Sequence, residues 1–164
     1  MPETPTWPPD GRGVPHSYTL FCPALDTTPR IARDFIASVL HSQQLDDLID
    51  AAAMCTSELV TNACVHAKSI GSLLWLAIEA AHIRITVYDG TQELPVMKDL
   101  DADGEGGRGL WMVDVLTDGR WGASPGAPLG LGGVAGKGVW FELRTRGNGL
   151  VADITRRPRC RTPY

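Results

Sequence analysis

The segment Ser57-Glu58-Leu59-Val60-Thr61-Asn62-Ala63-Cys64-Val65-His66-Ala67 spaces Glu58, Asn62 and His66 four residues apart. At about 3.6 residues per turn, positions i, i+4 and i+8 form one stripe on a helix. One direction of that helix therefore presents a carboxylate, an amide and an imidazole. A carboxylate accepts a proton, and an amide oxygen ligates a hard cation such as Mg2+. Two readings fit: the catalytic face of a nucleotide site, or the solvated side of an amphipathic helix. The flanking Thr56, Leu59, Val60, Ala63 and Val65 are mostly small or apolar. The stripe is therefore narrow, and a narrow polar stripe needs something polar to face. His66 has no second His or Cys suitably spaced on the same face, which argues against zinc.

Upstream, Leu45, Leu48, Ile49, Ala52 and Ala53 continue the apolar pattern. They predict one long helix from about Leu45 to Ala67, with Gly71 at its stop. An earlier helix is predicted over residues 29–41 from Ile31, Phe35, Ile36 and Val39, capped by Thr27 or Thr28 with Pro29 in its first turn. His16 to Cys22, with Tyr18-Thr19-Leu20-Phe21, reads as a first strand. Downstream, Leu73-Leu74-Trp75-Leu76-Ala77-Ile78 reads as a strand covered on both faces. Ile83, Ile85 and Val87 alternate with Arg84, Thr86 and Tyr88, and Ala80-Ala81-His82 makes a connection short enough for an antiparallel hairpin.

Residues 90–106 lack sustained periodicity, and a loop of that length inside a compact domain is usually functional. Leu110, Val113 and Leu116 predict a short helix after Gly107-Arg108-Gly109. Arg120-Trp121-Gly122 opens a short strand, residues 123–136 form a glycine-rich connection, and Lys137 to Thr145 is the last strand. The order predicts an α+β fold, a mixed sheet with its helices on one face.

A length of 164 residues favours one domain with a sizeable core. Residues 1–13, rich in Pro and Gly, read as a flexible lead-in, 14–146 as the folded domain and 147–164 as a tail. The formal net charge of −4 argues against direct nucleic-acid binding, which wants a basic face. The one basic cluster, Arg156-Arg157-Pro158-Arg159-Cys160-Arg161, sits in the tail. Cys55 and Cys64 stand about 13 Å apart along one helix, too far for a disulfide. A Cys22–Cys160 pairing stays open, and the simplest expectation is reduced thiols in a cytoplasm. Met1 to Asp10 lacks the basic and apolar regions of a signal peptide. No run is expected to span a membrane.

Gly104-Glu105-Gly106-Gly107-Arg108-Gly109 satisfies G-x-G-x-x-G. A dinucleotide fingerprint needs a buried strand directly before it and an acidic ribose partner after it, and neither is present. Two readings remain: backbone N–H groups at a helix start that attract phosphate, or a plain turn. Asp89, at the end of its strand and followed by Gly90, is either an acceptor for an exocyclic amine or the first residue of an Asp-Gly turn.

Taken in order, Glu58-Leu59-Val60-Thr61-Asn62-Ala63-Cys64-Val65-His66-Ala67, a strand ending in Asp89, a long loop, Gly107-Arg108-Gly109-Leu110 and Gly136-Lys137-Gly138-Val139-Trp140 resemble the histidine-kinase-like (GHKL) ATPase superfamily. Within it the chain is most similar to the small bacterial anti-sigma-factor serine kinases. The resemblance covers about residues 16–145. It implies a two-layer α/β sandwich of the Bergerat type that binds ATP and Mg2+. It implies that Glu58 is the general base, Asn62 the magnesium ligand, and Asp89 with Gly90 the adenine-binding turn. Gly107, Arg108, Gly109 and Leu110 would cradle the phosphates, under a lid formed by residues 91–106. The implied partners are a sigma factor and an anti-anti-sigma (STAS-type) protein, and a homodimer is consistent with the family.

The chain departs from the family pattern in three ways. Asp89-Gly90-Thr91 stands for Asp-x-Gly, and Gly138 stands where the last strand usually carries a threonine bonded to the Asp. Asp99, Asp101, Asp103 and Glu105 make the lid acidic. These departures keep a second expectation open: a non-catalytic anti-sigma factor or adaptor with weak or no ATP binding.

Overall fold

The computed structural model describes residues 16–66, 71–95, 108–131 and 133–146. Five strands and three α-helices follow the order β1 (His16–Pro23), α1 (Thr28–Ser42), α2 (Ile49–His66), β2 (Gly71–Ile78), β3 (His82–Asp89), α3 (Arg108–Thr117), β4 (Trp121–Pro125) and β5 (Lys137–Arg144). Single 3-10 turns at Asp46–Leu48, Leu129–Leu131 and Gly133–Ala135 complete the regular structure among the described residues. The expected lead-in, tail and most of the expected lid lie outside them.

The expected α+β class holds, but the sheet is not mixed. Strand order is β1-β2-β3-β5-β4, and every neighbouring pair is antiparallel. The physical reason is insertion. A parallel pair requires a crossover that lays β4 beside β3. Instead β5 returns between them and runs antiparallel to both.

Alternation along the strands separates two faces. Leu74, Leu76, Ile83, Ile85, Val87, Val139, Phe141 and Leu143 share one buried core with Ile36 and Leu40 of α1, Cys55, Leu59 and Val60 of α2, and Leu110 and Val113 of α3. All three helices therefore pack on that face. On the opposite face Arg84 donates to Glu142 at 2.8 Å and lies 4.1 Å over the Trp140 ring. That cation–π contact fastens β3 to β5 from the far side.

Three local expectations are corrected. Thr27 stands at the N-cap of α1 but makes no capping bond with its side chain, and Thr28 Oγ1 donates instead to Pro23 O at 2.6 Å. Gly71 does not stop a helix but begins β2. The segment Asp46–His66 is, by length and composition, apolar enough to cross a membrane. In the fold it is a core helix: Ala52, Cys55, Thr56, Leu59, Val60 and Ala63 are buried against α1, α3 and the sheet.

Cys22, Cys55 and Cys64 are free thiols, and Cys160 lies outside the described residues. Burial pushes the Cys55 thiol up to about 12, with the Glu58 charge adding to it. Burial likewise raises Cys22 to about 11, with Cys64 as a second cause. Both stay protonated at neutral pH, and the thiolate is the reactive form. Peptide-resolved mass spectrometry after iodoacetamide treatment at pH 8 should find Cys22 and Cys55 unmodified in the folded chain. Both should be fully modified in denaturant.

Candidate functional site

The site-bearing residues come from α2, the start of α3 and the adjoining ends of β3 and β5. β2 and β3 are antiparallel, with Leu73 opposite Tyr88, so the start of β2 lies beside the end of β3 at Asp89. β5 begins at Lys137, directly opposite Asp89. α2 precedes β2 in the chain and packs on both β2 and β3. Asn62 and Glu58 lie one and two turns back along α2 from His66.

Glu58 is half-buried, and its carboxylate sits against the first turn of α3. A Cβ placed on Gly109 would collide with the Glu58 carboxylate and lie 3.1 Å from its Cδ. Glycine at 109 is what lets the carboxylate approach the helix backbone. The first four N–H groups of a helix have no intrahelical partner, and that end carries partial positive charge. A carboxylate there is electrostatically favoured, and Leu110, 6% exposed, anchors the same turn in the core. Asp114 fixes the other end of α3 to the sheet by accepting from Trp121 Nε1 at 2.8 Å.

Asn62 is half-buried on α2, while Thr61, Val65 and His66 are exposed. The uncovered side of α2 is therefore wider than the stripe predicted from sequence. Its apolar members include Val65, 70% exposed, and Met54, 48% exposed. His66 ends α2 as an exposed side chain. Arg108 is exposed at the first position of α3. Gly107 and residues 96–106 lie outside the described residues.

At the strand ends, the Asp89-Gly90-Thr91 turn forms as the bland alternative predicted. Asp89 Oδ1 accepts from Thr91 N at 2.9 Å, and Thr91 Oγ1 donates to the same oxygen at 3.0 Å. A further residue joins them that the sequence reading missed. Lys137 Nζ donates to Asp89 Oδ1 at 3.0 Å and to Thr91 Oγ1 at 2.6 Å. Asp89 is 3% and Lys137 5% exposed, so this is a buried ion pair. Lysine is almost never fully buried without a partner. The signal that could have found it was the pattern Lys137, Val139, Phe141, Leu143, which sets Lys137 in phase with the core residues of β5.

That phase corrects the family comparison. Gly138 does not face Asp89. It pairs with Tyr88 on the opposite face of the sheet, where the Tyr88 ring fills its side-chain space: a Cβ on Gly138 would stand 2.8 Å from Tyr88 Cε1. Lys137 is the residue that faces Asp89. The close approach depends on Gly136, where a Cβ would lie 2.6 Å from Asp89 O and 2.8 Å from Leu131 O.

Among the described residues, no group of three or more His, Cys, Asp or Glu side chains gathers as a metal site. Magnesium demands little of a protein beyond one or two oxygens when phosphates complete its shell. The Asn62 amide oxygen, one turn from Glu58, fits that limited role.

Against known proteins, the chain matches no family model, and no curated relative is found.

Removing one member of a buried pair leaves the other charge uncompensated, typically costing about 3–5 kcal/mol. Lys137→Met should lose stability on that order in urea titration. Lys137→Met combined with Asp89→Asn should recover a large part of it. Equal losses in the single and double variants would show that the pair is not coupled.

Proposed function

We propose that the chain is an ATP-dependent regulatory protein serine/threonine kinase of the histidine-kinase-like superfamily, with a Bergerat-type fold. It would act in the cytoplasm on an anti-anti-sigma (STAS-type) partner and sequester a sigma factor. The observation that carries the proposal is the Glu58 carboxylate seated against Gly109 at the start of α3, with Asn62 one turn away. A proton acceptor, a metal-ligating amide and free helix N–H donors converge there.

Mg-ATP, when bound, supplies the phosphoryl group and the metal that offsets its charge. Asn62 Oδ1 would hold that metal. The N–H groups of Gly109 and Leu110 donate to phosphate oxygens, with Arg108 adding charge at the rim. Gly107 would extend that cradle. Glu58 takes the proton of the attacking serine hydroxyl as its oxygen bonds to the γ-phosphorus and the bridging P–O bond to the β-phosphate breaks. Asp89, with Gly90 giving the turn its shape, accepts from the base's exocyclic amine.

A second reading has its own support. Lys137 already engages Asp89, the carboxylate assigned to the base. An adaptor that binds the sigma factor without nucleotide chemistry is compatible with that contact. Calorimetry with Mg-ATP separates the two: micromolar binding supports the kinase, and silence at millimolar nucleotide supports the adaptor.

If the kinase assignment holds, Glu58→Gln should keep Mg-ATP affinity and lower serine phosphorylation of the antagonist by roughly 10²–10⁴-fold. Phosphoserine formation followed by mass spectrometry measures it. Full activity in Glu58→Gln would remove Glu58 from the role of base.

A further inference from the structure

The ammonium of Lys137 has three N–H donors and no acceptor. Two are engaged, one by Asp89 Oδ1 and one by Thr91 Oγ1. Among the described residues the third has no partner. Among the described residues, the polar contacts to Asp89 all fall on Oδ1: Thr91 N, Thr91 Oγ1 and Lys137 Nζ. Oδ2 is the oxygen left to accept from a ligand. Both residues project from the same face of the sheet, directly opposite each other at the adjoining ends of β3 and β5. The pair thus offers one acceptor and one donor side by side, and burial keeps water from competing for them.

We propose that Lys137 reads the nucleobase directly, an inference that rests on the nucleotide site above: Asp89 Oδ2 accepts from an exocyclic amine while Lys137 Nζ donates to the adjacent ring nitrogen. An amine donor beside a ring-nitrogen acceptor is the edge of a 6-aminopurine such as the adenine of the nucleotide proposed above, and cytosine shares it among the pyrimidines. A guanine edge presents two neighbouring donors, its ring N–H and its amine, and calls for both carboxylate oxygens. Oδ1 is already occupied by three donors, which disfavours that arrangement. Thr91 is a positioning residue: its hydroxyl accepts from Lys137 and donates to Asp89, holding the ammonium in line with the carboxylate. Discrimination follows because a base without the matching atom leaves a buried charged group unpaired.

The test titrates the full chain by calorimetry, in Mg2+, with four triphosphates. These are ATP, 1-deaza-ATP (C–H in place of the ring nitrogen), purine riboside triphosphate (no amine) and GTP. One hydrogen bond to a charged group is typically worth a factor of roughly ten to a hundred. ATP should bind, and 1-deaza-ATP and purine riboside triphosphate should each be weaker by about that factor. GTP should be weaker than ATP. In Lys137→Met, ATP and 1-deaza-ATP should bind alike, because the donor to the ring nitrogen is gone. The ligand comparison in the unmodified chain stands even if this variant fails to fold. Equal affinity of the unmodified chain for ATP and 1-deaza-ATP overturns the role of Lys137 and leaves the nucleotide site intact. Tighter binding of GTP than ATP overturns the aminopurine assignment. Failure of all four to bind at millimolar concentration overturns both this inference and the proposed kinase.

Discussion

β5 carries both long-range seams of the sheet's second half. One edge pairs with β3 from His82 opposite Arg144 to Asp89 opposite Lys137, and the other pairs with β4 from Trp121 opposite Phe141 to Pro125 opposite Lys137. β5 is the last strand among the described residues, and its seam with β3 joins residues 48 to 62 positions apart, against 12 to 20 for its seam with β4. Such distant pairing carries a loop-closure cost that local hairpins avoid. Cross-strand contacts on both faces offset it: Phe141 and Val139 in the core, Arg84 with Glu142 and Trp140 on the other side, and the Asp89–Lys137 pair at the end. The end pair also fixes register. A slip of one residue would send Lys137 to the opposite face and leave Asp89 buried with Gly138 opposite it.

What the sequence made legible follows this division. α2 and the β2–β3 hairpin were readable because their periodicity is local, and α1 was bounded to within a residue at each end. The order and direction of the last two strands were not, because nothing in Trp121–Pro125 or Lys137–Arg144 names its neighbour. Glu58, Asn62 and Asp89 could be singled out by type and spacing. Lys137 opens the last strand read from sequence, and its phase with Val139, Phe141 and Leu143 points it inward, but only register sets it opposite Asp89. A one-residue parity error put Gly138 opposite Asp89.

Burying an ion pair is not cheap. Desolvating both charges can cancel their attraction, so a pair of this kind is weak evidence of stabilisation by itself. Asp89 and Lys137 limit that cost by sharing Thr91, whose hydroxyl bonds to both. The Thr91 hydroxyl and the Lys137 ammonium form one unit, and the glycine at 138 belongs to a separate contact with Tyr88.

The two ends of the site are thus held by different kinds of constraint. Glu58 and Asn62 are held by helix geometry, which local hydrogen bonds keep rigid. Their approach to α3 depends on one missing side chain at Gly109, which couples the two helices: whatever displaces the first turn of α3 also changes what Glu58 faces. Asp89 and Lys137 are held by strand register and by the approach of Gly136 to the Asp89 carbonyl. α3 packs on β5 as well as on α2, so displacing it reaches both the Glu58 carboxylate and the strand that carries Lys137. Shifting β5 disturbs the pair first. α3 and β5 therefore couple the two ends, one through the Glu58 approach at Gly109 and the other through the register that sets Lys137 opposite Asp89.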